Sequence, residues 1–324
     1  MSSSSPVTTA VAVRAIGLTK TYSGSNEPVE AVKGIDLTIR EGEFFGLLGP
    51  NGAGKSTTIG MLTTLIMPTA GSASVLGVDV AADPVAVKRH IGMVSQNNTL
   101  DQELRVVENL EFRGRYFGLS GAEARQRAAE LLEFFELTDK RDAMPRELSG
   151  GQARRLMICR ALTHRPAVLF LDEPTVGLDP QTRVNLHDTL RLLQDQGQTV
   201  VLTTHYMEEA EALCDRVAVI DHGELLACDT VASLKSSAGA DTVVTVVFEG
   251  APPAGVGALD ELPAVSRVEI DGDRVRVFAH PGDGLLSDIV SLGNTAGIRV
   301  REANQLLPSL ETVYLTLTGR EYRE

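Results

Sequence analysis

One glycine-rich segment organises this sequence: Gly49-Pro50-Asn51-Gly52-Ala53-Gly54-Lys55-Ser56-Thr57. It has the pattern G-x-x-x-x-G-K-[ST], in which a short loop wraps around phosphate groups. The apolar run at residues 44–48 predicts a buried strand before the loop, and residues 57–65 predict a helix after it. Because the loop stands between a strand and a helix, as the motif requires, we predict that these residues bind a nucleoside triphosphate.

The residue types in this loop suit phosphate binding. Gly49, Gly52 and Gly54 permit positive φ angles, so that backbone N–H groups can converge on an anion beside the positive end of the following helix. Lys55 adds a positive charge for the β- and γ-phosphates, and the Ser56 hydroxyl can ligate the Mg²⁺ ion that bridges them. The alternative is a loop that only turns the chain, and the complete motif with its flanks argues against it.

Composition narrows the classes of partner. The chain has 324 residues, 43% of them hydrophobic, and a formal net charge of -13. An acidic protein without a basic stripe is poorly suited to nucleic acid or to an anionic membrane surface, so we expect neither as the main partner.

The cysteines and the N-terminal segment bear on the compartment. Cys159, Cys214 and Cys228 are odd in number and lack metal-ligand spacing, which favours buried thiols in a reducing cytoplasm. Residues 1–10 lack the basic and apolar regions of a secretion signal, and we predict a short disordered tail there. No apolar stretch reaches the roughly 18 to 20 residues that span a bilayer, so we expect a soluble chain.

The pattern along the chain predicts two domains. Residues 11–39 alternate with period two and predict antiparallel strands, whereas continuous apolar runs separated by helical segments predict a parallel sheet covered on both faces. Residues from about 100 to 162 read as a helical insertion. The texture changes again near residue 236. We therefore predict an α/β domain over residues 11–235 and a small α+β domain over residues 236–324.

An acidic pair, Asp172 and Glu173, follows the apolar run at residues 167–171. At the carboxyl end of a parallel strand, beside a phosphate loop, the first carboxylate can hold Mg²⁺ and the second can orient or deprotonate the attacking water. An acidic pair could also be an ordinary solvated turn. Together with the phosphate loop it favours the catalytic interpretation, with Glu173 as the general base.

A second segment suited to anion binding is Leu148-Ser149-Gly150-Gly151-Gln152. Ser149 is a good helix N-cap, and the two glycines expose amide groups at the start of the helix. The phosphate loop already holds the phosphates of one nucleotide, so a second phosphate site without its own lysine suggests a nucleotide bound by another copy of the chain. A capped helix with no ligand is the alternative interpretation.

In order and context, these motifs resemble those of ATP-binding-cassette (ABC) ATPase subunits over residues 10–230. The resemblance rests on the phosphate loop, Gln96, the LSGGQ segment at 148–152, Leu171 to Pro174, Gly177 to Asp179, and Thr204-His205. It implies a P-loop nucleoside-triphosphatase domain with a RecA-like core, an antiparallel β subdomain and a helical subdomain. It also implies a head-to-tail homodimer, in which ATP lies between the phosphate loop of one copy and the Ser149–Gln152 segment of the other.

The resemblance also implies roles for single residues. Tyr22 matches the aromatic residue that stacks on adenine, and Gln96 matches the glutamine that contacts Mg²⁺ and the attacking water and couples to the membrane subunit. His205 matches the histidine that contacts the γ-phosphate, and Asp179 matches the residue that communicates across the dimer. Read alone, Tyr22 could be a strand-surface residue and His205 a structural one.

A finer resemblance concerns four segments in combination: Asn51 to Thr58, Glu108-Asn109-Leu110, Tyr116-Phe117-Gly118-Leu119 and the closing segment from Leu310 to Gly319. These segments are similar to those of the ATPases of daunorubicin-resistance-type exporters. Such subunits carry a C-terminal regulatory domain and pair with a separate membrane permease, at the cytoplasmic face of the cell membrane. Gln152 departs from this group, many of whose members have methionine there. An importer ATPase, a lipid or polysaccharide exporter and a non-transport cassette protein remain as alternatives.

Overall fold

The computed structural model describes residues 10–23, 28–237, 242–253, 256, 259, 265–279, 285–306 and 309–318. These residues form two compact units that divide between Asp229 and Thr230. The helix from Val231 to Ser237 belongs to the second unit, because it packs against the helix from Leu310 to Thr318. The division therefore lies slightly before the boundary predicted at 235/236. Of the tail predicted at residues 1–10, residues 1–9 lie outside the described residues.

A predominantly parallel sheet forms the centre of the first unit. Its strands are β3 (Phe44–Leu48), β6 (Ile91–Val94), β7 (Val168–Asp172), β8 (Thr199–Thr204), β9 (Arg216–Asp221) and β10 (Glu224–Thr230). They lie in the order β10-β9-β3-β8-β7-β6, and β9, β3, β8, β7 and β6 pair in parallel. Every residue of β3 and β8 is buried. Burial on both faces explains why these strands read as continuous apolar runs and not as alternating ones.

An antiparallel sheet covers one side of this core. Its strands are β1 (Val11–Tyr22), β2 (Val29–Arg40), β4 (Ala70–Val75) and β5 (Val78–Asp79), in the order β2-β1-β4-β5. Along much of β2, buried and exposed residues alternate, as the period-two pattern predicts. The buried side chains Val13 and Ile35 belong to the same apolar cluster as Phe45 and Phe170 of the parallel sheet. The two sheets therefore share one core.

The helices of the first unit are α1 (Lys55–Leu62), α2 (Pro84–His90), α3 (Val106–Tyr116), α4 (Gly121–Phe134), α5 (Gly150–Leu162), α6 (Pro180–Asp195) and α7 (Met207–Leu213). Four of these helices, α2, α4, α5 and α6, begin at a residue whose side chain caps the first turn. Short 3₁₀ turns lie at Thr138–Lys140 and Pro145–Glu147. Helices α3, α4 and α5 pack on one another within the range of the predicted helical insertion. Helix α1 begins at Lys55 and not at Thr57, which brings the lysine into its first turn.

The second unit is an antiparallel sheet with helices. Its elements are α8 (Val231–Ser237), β11 (Thr242–Phe248), β12 (Val265–Asp271), β13 (Arg274–Ala279), α9 (Leu285–Thr295), β14 (Val300–Leu306) and α10 (Leu310–Thr318). The strand order is β12-β13-β11-β14, and the core forms between α9 and the sheet face that carries Val244, Val246 and Phe248. The sequence did not indicate β14, because this sheet-edge strand is largely polar.

The strand order determines where functional side chains can meet. The phosphate loop follows β3, Gln96 lies just beyond β6, Asp172 ends β7, and His205 follows β8. Parallel strands present their carboxyl ends at one edge of the sheet, and β3, β8, β7 and β6 are neighbours. In the described part of the chain, no helix has the length and apolar character needed to cross a membrane.

We expect Gly92→Ala to destabilise the first unit. A β-carbon at Gly92 on β6 would lie 2.6 Å from the carbonyl oxygen of Ala161 on α5, and that backbone cannot rotate away. Overpacking of this kind costs about 1–3 kcal/mol. The measurement is the urea midpoint of unfolding, which should fall at an unchanged slope.

The matched control is Gly121→Ala at the start of α4, where the nearest atom to a new β-carbon is the tip of the flexible Arg125 side chain, at 3.6 Å. Alanine is the better helix former, so this midpoint should hold or rise. Equal midpoints for the two variants would contradict the packing of β6 on α5.

Candidate functional site

The phosphate loop is shaped by glycines that no other residue could replace. Gly54 has φ 102° and caps α1, and a β-carbon there would lie 2.5 Å from the carbonyl oxygen of Ala31. At Gly49, a β-carbon would lie 2.0 Å from the carbonyl oxygen of Ile220. The first N–H groups of a helix lack intrahelical partners, and no side chain of the described residues caps α1. This helix terminus can therefore receive an anion.

Lys55 is buried at the base of the loop. Its ammonium group donates to the carbonyl oxygens of Gly49 at 2.7 Å and Pro50 at 3.0 Å. Its Nζ also lies 3.5 Å from Oε1 of Glu173. Burial lowers the pKa of Lys55, and the charge of Glu173 opposes that shift. A phosphate group would meet an ammonium that is already held in place.

Glu173 is the centre of the site. It is buried and has φ 47°, in the left-handed region, where its N–H donates to the carbonyl oxygen and the hydroxyl of Thr203. Its Oε1 lies 3.2 Å from Nδ1 of His205, and its Oε2 lies 3.5 Å from Nε2 of Gln96. An ionised carboxylate only accepts hydrogen bonds, so the histidine contact places a proton on Nδ1. The structure therefore brings together the three residues predicted to be catalytic.

Asp172 and Ser56 form an oxygen-rich edge beside them. Asp172 Oδ1 accepts from the Ser56 hydroxyl at 3.1 Å and from the Thr203 hydroxyl at 2.5 Å. The described residues contain no group of three or more His, Cys, Asp or Glu side chains that could hold a metal. Mg²⁺ usually binds one or two protein oxygens and completes its shell with water and substrate phosphates. The Ser56 hydroxyl and the Asp172 carboxylate, next to the phosphate loop, fit this mode of Mg²⁺ binding.

The phosphate loop borders a small open cleft of about 210 Å³. The cleft is lined by Ala31, the loop residues 51–57, Gln96 and Glu173. Tyr22 is not among the described residues that line it. Tyr22 ends β1 opposite Val29, with 40% of its surface exposed and Nζ of Lys20 5.0 Å from the centre of its ring.

The LSGGQ segment lies apart from this cleft and caps α5. Ser149 accepts a hydrogen bond from the Gln152 N–H, and the Gln152 side chain accepts from the Ser149 N–H. This reciprocal pair is a capping box. A β-carbon at Gly151 would lie 2.3 Å from Cγ2 of Thr182, whereas one at Gly150 would meet no atom within 4 Å. Packing therefore requires glycine at residue 151, and residue 150 is open to a ligand.

Asp179 caps the neighbouring helix α6. It accepts hydrogen bonds from the Thr182 hydroxyl at 2.6 Å and from the Thr182 N–H at 3.0 Å, and these bonds lower the pKa of Asp179. The same Thr182 packs on Gly151. Asp179 and the LSGGQ segment are therefore joined through one threonine, although neither lines the cleft.

Sequence reasoning missed two residues that support the site. Thr203 bridges Asp172 and Glu173, and Arg154 of α5 is 7% exposed with its guanidinium among the carbonyls that follow β7. A signal for Arg154 was available. It shares a helical face with Gly151 and Ile158, which are both buried, so its charge required partners inside the protein.

A phosphate loop between a strand and a helix, with an acidic strand end and a histidine beside it, defines a P-loop nucleoside triphosphatase. The ABC transporter family matches residues 32–176. The daunorubicin/doxorubicin resistance ATP-binding protein DrrA of Streptomyces peucetius is 42% identical over 95% of this chain and 92% of its own length. The chain belongs to the ABC transporter family, and it is an ATP-binding subunit with ATPase activity.

Other relatives and solved structures agree. The linearmycin resistance ATP-binding protein LnrL of Bacillus subtilis is 39% identical over 90% of this chain and 95% of its own. The Nod factor export ATP-binding protein I of Rhizobium sp. strain N33 is 44% identical over 90% and 92%. The dimeric post-hydrolysis cassette MJ0796, bound to ADP and Pi, superposes with a TM-score of 0.62 at 33% identity, over 67% of this chain and 98% of that one.

We expect Thr203→Val to slow ATP hydrolysis. Valine keeps the shape of threonine but removes the hydroxyl that bonds Asp172 and the Glu173 N–H. A lost hydrogen bond to a charged group is worth about 1.5–3 kcal/mol, which corresponds to a fall of about 10- to 100-fold in kcat. Steady-state ATPase kinetics measure it. Thr203→Ser retains the hydroxyl and should stay near the wild-type rate, and a serine variant as slow as valine would contradict this account.

Proposed function

We propose that this chain is the ATPase subunit of an exporter that expels a drug-like or lipophilic molecule through a separate membrane permease. The observation that carries this proposal is the convergence of Lys55, His205 and Gln96 on Glu173, which lines the cleft. Relatives named for drug resistance and for Nod factor export support the direction of transport. The first compact unit would form the cassette and the second, which starts at Thr230, an accessory domain.

In this proposal Glu173 acts as the general base. Its carboxylate is held between Lys55 and His205, with Gln96 at the rim, so it can accept a proton from a water placed beside the terminal phosphate. Lys55 and the α1 amides hold the β- and γ-phosphates, while His205 contacts the γ-phosphate. Mg²⁺ would be held by Ser56 and Asp172 with Gln96 nearby, and it would neutralise charge on the transferred phosphoryl group. Positioning and charge stabilisation supply most of the catalysis.

The same proposal includes a head-to-tail homodimer. Ser149, Gly150, Gly151 and Gln152 would contact the ATP bound by the other copy. The capped start of α5 offers amide groups, and a β-carbon at Gly150 would meet no protein atom within 4 Å. Asp179 would report across the dimer, and the half-exposed Tyr22 would stack on adenine.

We expect Glu173→Gln to bind ATP but not to hydrolyse it. Glutamine preserves the size of the side chain and loses the basic oxygen, and general-base catalysis is worth about 10²- to 10⁴-fold. ATP should then hold two copies together. The measurement combines steady-state hydrolysis with the molar mass of the full-length chain in ATP.

Glu208→Gln on α7 is the control, because Glu208 is exposed and lies outside the cleft. It should hydrolyse ATP like the wild type. A Glu173→Gln variant with the wild-type rate would refute Glu173 as the base, and one that stays monomeric in saturating ATP would refute the dimer.

A groove between the core and the helical insertion suits the permease. It measures about 690 Å³ and is lined by Thr63, Leu65, Val85, Lys88, Arg89, Ile91, Met93, Arg113, Tyr116, Phe117 and Gly118. Tyr116 is 73% exposed and the nearby Phe112 65%, and large exposed aromatics of this kind mark an interaction surface. Docking here would hold the chain at the cytoplasmic face of the membrane.

A chain of contacts leads from the groove to strand β6, which ends two residues before Gln96. Phe117 stacks on His164 with ring centres 3.8 Å apart, and Nε2 of His164 lies 2.9 Å from the carbonyl oxygen of Ile91 at the start of β6. Burial lowers the pKa of His164 to about 4, so at neutral pH it is uncharged and donates from Nε2. Because Gln96 lies just beyond β6, a segment docked in this groove would influence the position of Gln96 in the cleft.

We expect Tyr116→Ala to weaken the complex with the permease. The substitution removes a large exposed aromatic from the centre of the proposed surface, and such anchors are worth about 2 kcal/mol or more in interfaces. Co-purification with the permease from membranes and export of the drug by cells both measure the loss. Leu192→Ala on α6, which removes a 53% exposed apolar side chain outside the groove, should leave both unchanged. Full co-purification of the tyrosine variant would contradict the assignment.

A further inference from the structure

Arg154 is buried near the start of α5, just after its first turn, and donates to four backbone carbonyls. Its Nε donates to Pro174 O at 2.6 Å, and its Nη1 donates to Ser95 O at 2.6 Å. Its Nη2 donates to Glu173 O at 2.6 Å and to Asp172 O at 3.1 Å. One side chain therefore fastens three consecutive residues of the acidic loop and the residue directly before Gln96.

Only arginine has the donor geometry for this arrangement. The guanidinium is planar and carries five N–H donors in a rigid fork, whereas lysine offers three donors from a single point. A buried charge also needs opposite charge nearby. Burial lowers the pKa of Arg154, while Asp172, Glu209 and Glu173 raise it, so these three carboxylates compensate the charge.

The position of Arg154 connects two sites on the same chain. Helix α5 begins with the Ser149 and Gln152 capping box, and Arg154 lies two residues after Gln152 in the same helix. The guanidinium of Arg154 holds the backbone carbonyl of Glu173, the residue proposed as general base. A second arginine of the same helix, Arg160, donates to the carbonyl and hydroxyl oxygens of Thr99, beyond Gln96. Helix α5 thus holds the chain on both sides of Gln96.

We propose that Arg154 is a positioning residue that fixes the positions of Glu173 and Gln96 relative to the start of α5. Through it, the helix end that faces one nucleotide of the dimer sets the geometry of the base that acts on the other nucleotide. This inference rests on the proposed roles of Glu173 and the LSGGQ segment. It does not require Arg154 to touch ATP.

The neighbouring Arg155 provides a matched control. It lies on the same helix and donates to Phe135 O at 3.0 Å and to Glu136 at 3.3 Å, both within the helical insertion. An Arg155→Gln variant loses charge and hydrogen bonds of the same kind without disturbing Asp172, Glu173, Pro174 or Ser95.

The test compares Arg154→Gln, Arg154→Lys and Arg155→Gln in the full-length chain. We expect Arg154→Gln to lower kcat by about 10- to 100-fold. Its Kd for fluorescent ATP, which depends on the phosphate loop, should stay within about twofold of the wild type. Arg154→Lys should be intermediate, because lysine keeps the charge but cannot reach four carbonyls. Arg155→Gln should retain the wild-type kcat.

A double-mutant cycle with Glu173→Gln separates positioning from folding. If Arg154 acts through Glu173, Arg154→Gln should slow single-turnover hydrolysis no further in the Glu173→Gln background. Full additivity, wild-type kcat in Arg154→Gln or Arg154→Lys, or an equal loss in Arg155→Gln would each overturn the inference. Wild-type hydrolysis by the Glu173→Gln single variant would instead refute the proposed base. That result does not depend on any Arg154 variant, so the two failures can be told apart.

Discussion

A buried pair of opposite charges, Lys55 and Glu173, underlies the geometry of this protein. The two side chains are 4% and 9% exposed, and Nζ lies 3.5 Å from Oε1. Buried ions must be both paired and hydrogen-bonded, and removal of one partner typically costs about 3–5 kcal/mol. Lys55 meets this requirement through the loop carbonyls, and Glu173 meets it through His205. The phosphate loop and the acidic strand end are therefore constrained to face each other.

The backbone of Glu173 is also fixed by hydrogen bonds. A residue other than glycine at φ 47° is strained by about 1–3 kcal/mol, so its surroundings must determine its conformation. Thr203 on the adjacent strand β8 holds its N–H, and Arg154 from α5 holds its carbonyl. Such strain suits the proposed role of Glu173, because a general base must keep one orientation.

Strand β6 connects two surfaces of the first unit. Ile91 and Met93 of this strand line the groove, and Gln96, just beyond the strand, lines the cleft together with Glu173. The groove carries Lys88, Arg89 and Arg113 and no acidic side chain among its described lining residues, in a chain of net charge -13. A basic groove in an acidic protein favours a partner segment with acidic and apolar residues.

The sequence by itself determined the phosphate loop, the acidic strand end, the LSGGQ helix start and the alternation of strands and helices, because each depends on local spacing and backbone requirements. Only the tertiary structure decided that Gln96 and His205 meet Glu173, since that contact depends on the order of β6, β7 and β8 in the sheet. It also decided the contacts of Thr203 and Arg154, and it showed that Ser149 and Gln152 together cap helix α5. A side chain's partners come from segments far away in the chain, and the spacing of residues does not encode which segments pack together.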